Sequence, residues 1–466
     1  MIAVLLAPVY ILVVLYLLRW NLWWLYACSS FFKKKWFRVL YSCFFLFISC
    51  SLVIAFFIRE PSLRWFFKHL SNYWLGTLLY IILAIVIGDL IRLILIRSRH
   101  FDNTRLHSRK TFVISGAVVI LCIVSVSLYG IIHARTLKIA RYDITIDKEC
   151  SAGDLKIVLI ADLHMGYNIG HRYIEQMAEK VNALEPDLIC IAGDIFDNNY
   201  DALDDPEAIT AALKSMKSKY GTYACWGNHD ITEQILAGFT FGRTEKLEDD
   251  PRMEALLDDA GITLLNDQTV CIHDAFYLTG RKDIDRAEKV EGSRQSPEEL
   301  LGGLDQSKPI FVLEHQPKYL DEVAEAGADA QLCGHTHDGQ LFPGNILVGL
   351  MWDNSYGLEQ KGDMYSIVTS GRQLKDPEIE QLCRAIRRIR EETDLSVCAS
   401  CGLLTEEQFR SLKDAGVSRI HNNLETSRRY FPSVCTTHTF EDKIAAIRRA
   451  QAAGLSVCSG GIMGLG

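Results

Sequence analysis

Acidic residues are scarce in the first 141 residues of the chain, which contain 17 Lys and Arg but only 3 Asp and Glu. The remaining residues have the opposite balance, with 32 basic and 54 acidic side chains. A basic region dominated by Leu, Ile, Val and aromatic residues is not a water-soluble domain, whereas the acidic remainder is long enough for one large globular domain and part of another. This division excludes a small secreted scaffold and a disordered chain.

The chain also lacks a legible disulfide framework, although it contains 14 cysteines. Cys122, Cys190 and Cys225 lie within apolar runs, where a free thiol behaves as a small hydrophobic side chain. The cysteines therefore do not identify a redox compartment. The acidic part has no basic patch with interleaved aromatic residues in its candidate specificity loops, so we expect no nucleic-acid partner.

Four apolar stretches occur in the first third, at about residues 2–18, 36–58, 73–96 and 111–134. Each is close to the roughly 17–25 residues with which a helix crosses the hydrocarbon core of a membrane. The first stretch has no basic start and no small-residue cleavage site, so we interpret it as a retained anchor rather than a removable signal peptide. We therefore predict a transmembrane region of four helices over residues 1–141.

Basic residues predict the orientation of this region. The first and third connections between the apolar stretches carry five Lys or Arg each, whereas the second carries only Arg59, Arg64 and Lys68. Because strongly basic loops remain in the cytoplasm, the first and third connections are expected there. Everything after residue 134 is then expected on the extracytoplasmic face of the cell membrane.

From residue 155 the pattern changes to alternating strands and helices. LKIVLIADLH, DLICIAGD and GTYACWGNHD each read as a buried strand that ends in polar residues, and residues 171–184 read as a helix. Open α/β sheets bind their ligands at the carboxyl ends of such strands. Five strand ends carry oxygen or imidazole groups, namely Asp162, His164, Asp194, Asp197, Asn228, His229, Asp230, His315, His335 and His337. This mixture favours Mn, Fe or Zn over Ca or Mg alone, and its two spaced sets are enough for two metal ions.

The motifs ADLHMG, GDIFD, GNHD, EHQP and GHTHDGQ, in this order over residues 150–371, resemble the calcineurin-like metallophosphoesterases, and most closely their membrane-anchored bacterial branch. The resemblance implies an α/β four-layer fold with two packed mixed sheets and flanking helices. It also implies that Asp162, His164 and His337 bind one divalent metal, that Asn228, His315 and His335 bind the other, and that Asp194 bridges them.

The same resemblance implies hydrolysis of a phosphomonoester, phosphodiester or pyrophosphate by a hydroxide that bridges the two metals. His229 would be the catalytic acid, with Asp230 or Asp197 orienting its ring. Asp338 departs from many relatives, which have Gly at this position. Location outside the cytoplasm favours a phospholipid, lipid-linked or cell-envelope phosphoester, so the expected substrate is a small phosphoester or a lipid-linked phosphate. The alternative is a catalytically silent membrane protein with a structural metal domain.

After SIVTSG, at residues 366–371, the character of the chain changes again. Helices at 376–391, 405–415 and 440–453 alternate with the strands LSVCAS, VSRIHNN and LSVCSGG, which is the repetition found in barrels. The strings SVCASCGLLTEEQ, HNNLETSRRYFP, CTTHT and GLSVCSGGIMGLG resemble biotin synthase, a radical SAM enzyme. We therefore expect a partial (β/α) barrel fragment over residues 372–466.

By this resemblance, Cys398 and Cys458 match iron–sulfur ligands, and Asn423 and Glu425 match the substrate or SAM region. The CxxxCxxC cluster that holds the SAM-cleaving centre of that family occurs nowhere in the 466 residues, so we expect no radical chemistry and no functional cluster. A biotin-synthase-type function is thus the less favoured alternative. We interpret the chain as a chimera of two families, in which the phosphoesterase domain lacks its last strands.

Overall fold

The computed structural model describes residues 2–98, 108–233, 249–340, 344–361 and 363–369, together with shorter segments at 235–236, 239–240, 383, 386–387, 397–399, 404–421, 424, 428–429, 431 and 440–459. The chain divides into two compact units, Met1–Ser370 and Gly371–Gly466. The first unit contains the apolar helices and the phosphoesterase-like region.

Four helices of the described part are long and apolar enough to cross a membrane, as the sequence predicts. They are α1 (Ile2–Cys28), α2 (Lys35–Phe57), α3 (Pro61–Arg97) and α4 (Arg109–Ala134). Helix α3 begins well before the predicted start at residue 73. It begins there because its amino terminus is capped. The Glu60 carboxylate accepts hydrogen bonds from the backbone N–H groups of Ser62 and Leu63, and Pro61 occupies the first helical turn.

This longer helix changes the second connection. Arg64 and Lys68 lie on α3, and of the three basic residues assigned to the connection only Arg59 remains in it. The Arg135 guanidinium, directly after α4, donates a hydrogen bond of 2.7 Å to the Tyr73 hydroxyl. Residues 61–72 of α3 therefore continue past the end of α4, on the side from which the chain enters the phosphoesterase-like region.

Two sheets form the centre of that region. The first has the order β1-β2-β3-β6 and is parallel throughout, whereas the second has the order β11-β12-β10-β9-β8-β7 and is mixed. The strands of the first sheet are β1 (Ile157–Ile160), β2 (Leu188–Ala192), β3 (Thr222–Cys225) and β6 (Ile262–Leu264). Those of the second are β7 (Gln268–Ile272), β8 (Phe276–Gly280), β9 (Ile310–Leu313), β10 (Ala330–Cys333), β11 (Gly357–Lys361) and β12 (Met364–Val368). A separate antiparallel pair consists of β4 (Ile235–Leu236) and β5 (Phe239–Thr240).

Helices cover the outer face of each sheet. Those of the region are α5 (His171–Ala183), α6 (Pro206–Lys214), α7 (Pro251–Asp259), α8 (Pro297–Leu301), α9 (Leu320–Glu325) and α10 (Gly344–Met351), with a short turn of helix at Ile284–Arg286.

Alternate residues of β2 show the layering. Cys190 packs in the core between the two sheets, whereas Ile189 and Ile191 pack against the helices that cover the first sheet. Burial on both faces explains why the strand is a continuous apolar run, and the predicted four-layer fold is confirmed.

The second unit contains a parallel sheet of order β13-β14-β15, formed by Val397–Ala399, Val417–His421 and Ser456–Cys458. Helices α11 (Glu406–Asp414) and α12 (Phe440–Ala452) accompany it, and Phe409, Leu412 and Ala450 are buried in its core. The predicted α/β repetition is thereby confirmed for these elements. Most of the helix predicted at 376–391 lies outside the described residues.

Candidate metal centre

The candidate ligands lie where the parallel strands of both sheets end. Loops after β1, β2 and β3 carry the ligands from the first sheet, and loops after β9 and β10 carry those from the second. The structure brings them into three overlapping groups in which all candidate ligand atoms lie within 4.8 Å of one another. The groups are Asp162 with His164, Asp194 and His337; Asp194 with His315 and His335; and His164 with Asp197 and His229.

In the first group, the imidazoles of His164 and His337 approach each other beside the Asp194 carboxylate. His164 Nε2 lies 3.0 Å from His337 Nε2 and 3.5 Å from Asp194 Oδ2. His337 Nε2 lies 3.9 Å from Asp162 Oδ1. The same oxygen accepts a hydrogen bond from the His335 backbone N–H. Burial lowers the pKa of His164 to about 3, so this imidazole is neutral and able to bind a cation at neutral pH.

In the second group, His315 is completely buried and contacts three other polar side chains. Its Nε2 lies 3.2 Å from Asp194 Oδ2, 3.1 Å from His335 Nδ1 and 3.1 Å from Asn228 Oδ1. Its other nitrogen, Nδ1, lies 2.9 Å from the Ala192 carbonyl oxygen, to which it donates a hydrogen bond. This hydrogen bond fixes the ring so that Nε2 points into the centre.

Asp194 is the residue that the two groups share. One carboxylate oxygen, Oδ1, accepts a hydrogen bond of 2.8 Å from the His229 backbone N–H, while Oδ2 faces His164 and His315. Burial opposes ionisation, but the neighbouring imidazoles, His315 first, hold the pKa of Asp194 well below its usual range. Reciprocally, burial would lower the pKa of His315, yet the Asp194 charge raises it to about 10. A buried negative charge therefore occupies the middle of the cluster.

The backbone of the cluster is strained. Five of the candidate ligands have positive φ angles, a conformation that non-glycine residues seldom adopt. They are Asp162 (55°), His164 (45°), Asp194 (49°), His335 (75°) and His337 (48°). Asp338 also has a positive φ of 47° and is buried, a backbone conformation that glycine adopts more readily than aspartate. Positive φ angles also occur elsewhere in the described residues, as at Glu185 and Tyr319, but their concentration in five ligands of one cluster is typical of a functional site.

The Nδ1 atom of His229 contacts a residue that the sequence did not single out. Its Nδ1 makes a short hydrogen bond with Asn198 Oδ1, rather than with Asp197 or Asp230. The buried Asp230 carboxylate instead accepts hydrogen bonds of 2.7 Å from the backbone N–H groups of Phe196 and Gly227. Asp230 follows His229 in sequence, but the loop after β3 turns its side chain inward, where it ties the β2 and β3 loops together. Burial and the charge of Asp194 raise the pKa of Asp230 to about 7.

Within the described residues, the side chains around the candidate centre differ in their exposure. The Asp197 side chain is 40% exposed and its Oδ1 lies 3.9 Å from His164 Nδ1, whereas His315 on the opposite side is inaccessible. His164 and His337 are partly exposed, so the open face is formed by the loops after β1, β2 and β10. The sequence did not predict a role for Asn198. The only signal that could have indicated one is its position directly after Asp197, in the same loop.

The tail residues identified from the sequence are described only in part. Cys458 ends β15 and is exposed, and the backbone of Cys398 belongs to β13. Asn423 and Glu425 lie outside the described residues. Their assignment to an iron–sulfur or SAM site stays a prediction.

Comparison with protein families gives two matches, to different parts of the chain. Residues 155–339 match the calcineurin-like phosphoesterase family, and residues 356–466 match the radical SAM superfamily. Both predicted resemblances are confirmed, and the first match places the region with the metal centre among hydrolases of phosphoester bonds. The second match begins within the phosphoesterase-like unit, since β11 and β12 pair with each other and β12 pairs with β10.

Curated relatives of the tail are biotin synthases. The chain is 57% identical to biotin synthase 2 of Corynebacterium diphtheriae over 102 residues, which cover 22% of this chain and 31% of the relative. It is 60% identical to the biotin synthase of Brachyspira hyodysenteriae over 102 residues, again 22% of this chain and 31% of the relative. The chain is 47% identical to the biotin synthase of Heliobacterium modesticaldum over 140 residues, which cover 30% of this chain and 41% of the relative. The chain thus spans about a third of the length of the first of these relatives.

Proposed function

We propose that the chain is a membrane-anchored phosphoesterase that uses two divalent metal ions and carries its catalytic region on the extracytoplasmic face. The observation that carries this proposal is the position of Asp194 Oδ2, which faces His164 of one ligand group and His315 of the other. A single oxygen between two sets of imidazoles and carboxylates is the arrangement that a bridging ligand requires.

The spacing of the side chains fits metal ions. Nitrogens that bind one ion at about 2.0–2.1 Å lie roughly 3 Å apart when they occupy neighbouring positions. The separations of 3.0 Å between His164 and His337 and 3.1 Å between His315 and His335 agree with this value. Asp162, His164 and His337 would hold one ion and Asn228, His315 and His335 the other, with Asp194 shared. Such donors suit Mn, Fe or Zn.

The chemistry that two bound divalent cations supply is an acidified water as nucleophile and positive charge for the phosphoryl oxygens. His229 lies beside the first group, with its ring centroid 5.1 Å from that of His164. Asn198 holds its Nδ1, which leaves Nε2 as the atom that delivers a proton to the leaving oxygen. His229 is therefore the catalytic acid in this proposal, and Asp230 positions the loop that bears it.

The test is hydrolysis of para-nitrophenyl phosphate and bis-para-nitrophenyl phosphate by the full-length protein in detergent with Mn. We expect metal-dependent hydrolysis that Asp194→Asn lowers at least about a hundredfold, because the variant removes the shared charge. Asp274→Asn is the matched control, since that carboxylate is 89% exposed on the β7–β8 hairpin. Metal binding without hydrolysis of either compound would favour the catalytically silent alternative.

A further inference from the structure

The first turns of α3 come close to the metal centre. Residues 61–72 continue past the end of α4, which lies beside Tyr73. At 1.5 Å per residue this extension is roughly 18 Å long. Along it, the Lys68 ammonium lies 5.9 Å from the ring centroid of Tyr167, a residue of the loop between His164 and α5.

Lys68 is electrostatically linked to the open face of the centre through Asp197. The Lys68 ammonium and the Asp197 carboxylate are close enough for their charges to interact. The same carboxylate lies 3.9 Å from His164 Nδ1. A cation of α3 is therefore close to the face of the candidate centre that is open among the described residues.

Arg64 adds a second cation on the same helix face, because residues four apart are neighbours on a helix. Its charge acts on the Tyr167 hydroxyl. Its Nε atom is buried and has no hydrogen-bond partner among the residues that the structure describes. Arg64 thus lies near Tyr167 and has one buried donor whose hydrogen bond a bound anion would supply.

The remaining faces of this helix end are apolar and exposed. Leu63 is 52% exposed, Trp65 and Phe66 are each 49% exposed, and Phe57 at the end of α2 is 73% exposed. Aromatic side chains of this kind are typical of the interface between a membrane and water. The two cations therefore lie between a surface suited to lipid and a centre suited to phosphate.

We infer that Arg64 and Lys68 belong to the substrate site and bind the phosphate oxygens of a membrane phospholipid. The acyl chains of this lipid stay in the bilayer, beside the exposed apolar residues at the end of α2 and the start of α3. This inference rests on the proposed function and names the substrate class of the same site. Lys and Arg bind phosphate strongly, and neither metal ligands nor His229 provide a contact for acyl chains. A soluble phosphoester would make no contact with these exposed apolar residues.

The first experiment compares a lipid and a soluble substrate. Full-length protein in phosphatidylcholine vesicles is supplied with Mn and either phosphatidic acid or para-nitrophenyl phosphate. We expect Lys68→Gln and Arg64→Gln each to lower the ratio of kcat/KM for the lipid to that for the soluble ester by about tenfold, through a higher KM for the lipid. Lys68→Arg should restore the ratio, and Lys138→Gln, an exposed cation on the same side of the membrane, should leave both activities unchanged.

The second experiment separates this inference from the proposed function. Binding of a pyrene-labelled phosphatidic acid to the protein is measured in detergent with EDTA, which needs no catalysis. We expect about tenfold weaker binding for Lys68→Gln and Arg64→Gln than for the wild type, and no competition by inorganic phosphate at similar concentration. Hydrolysis of the soluble ester with an unchanged substrate ratio and unchanged lipid binding would overturn the inference. Absence of all hydrolysis would overturn the proposed function, while lipid binding would still decide the role of the two cations.

Discussion

At the scale of single residues, Asn198 determines which nitrogen of His229 is available for chemistry. The asparagine is buried, and its own backbone N–H donates to the His229 carbonyl oxygen while its side chain contacts His229 Nδ1. The ring is therefore held by the loop after β2, although it belongs to the loop after β3. The amide oxygen of Asn198 accepts a hydrogen bond from Nδ1 and thereby orients the imidazole.

We expect Asn198→Ala to lower kcat for para-nitrophenyl phosphate by about 10–100-fold with little change in KM, because the ring loses its orientation but substrate contacts remain. Asn198→Asp retains an acceptor for Nδ1 and should recover most of kcat. Steady-state kinetics of the two variants measure the difference. Equal losses in both variants, or a change confined to KM, would contradict a positioning role.

The pKa of His335 predicts a pH dependence of stability in the metal-free protein. Burial, reinforced by the charge of His315, lowers this pKa to about 3 from an ordinary value near 6.5. Between these values the unfolded state binds a proton that the folded state does not bind. The contribution of His335 to stability is therefore lost as pH falls below about 6.5, with a slope of at most about 1.4 kcal/mol per pH unit.

The measurement is urea unfolding of wild type and His335→Asn, followed by tryptophan fluorescence in EDTA between pH 7 and pH 4. We expect the free energy of unfolding of the wild type to fall relative to that of the variant as the pH decreases. A difference that is independent of pH would show that His335 titrates normally in the folded state.

At the scale of elements, the centre depends on how closely the loops after β2 and β3 approach. A Cβ atom placed on Gly227 would lie 2.3 Å from the backbone nitrogen of Asp194 and 2.3 Å from its Oδ1. Asp230 ties the same loops together through its two backbone hydrogen bonds. The carboxylate at the middle of the cluster is thus positioned by backbone contact as well as by the strands.

Gly227→Ala should separate these loops, because the clash is with backbone atoms that cannot move independently. We expect weaker Mn binding by calorimetry and a loss of about 1–3 kcal/mol in the free energy of unfolding. The control is Gly303→Ala, since a Cβ atom at Gly303 meets no atom within 4 Å. Unchanged metal affinity in Gly227→Ala would mean that the loops have room to adjust.

At the scale of the whole molecule, the four apolar helices and the basic connections predict that the catalytic region lies outside the cytoplasm. A reporter that is active only after export, fused after residue 145, should therefore be active, and a reporter that needs the cytoplasm should be inactive at the same point. The same pair of reporters fused after residue 34, in the first connection, should give the reverse result. Activity of the cytoplasmic reporter at residue 145 would reverse the proposed orientation.

The matches to the two families follow each other along the chain, at residues 155–339 and 356–466. Strands β11 and β12 belong by pairing to the phosphoesterase-like unit, yet they fall largely within the radical SAM match. The unit boundary at residue 370 follows these strands.

The sequence by itself determined the four apolar helices, the five strands that end in candidate ligands and the ten polar side chains at those ends, because burial and strand period leave a direct pattern in residue order. The amide partner of His229 was not predictable, since Asn198 and His229 lie on different loops and meet only when β2 and β3 pair. The start of α3 was missed because the polar Arg64 and Lys68 interrupt an apolar run without interrupting a helix. Their approach to Tyr167 and Asp197 is likewise a result of the tertiary structure alone, because contacts between distant segments depend on how elements pack and not on local sequence.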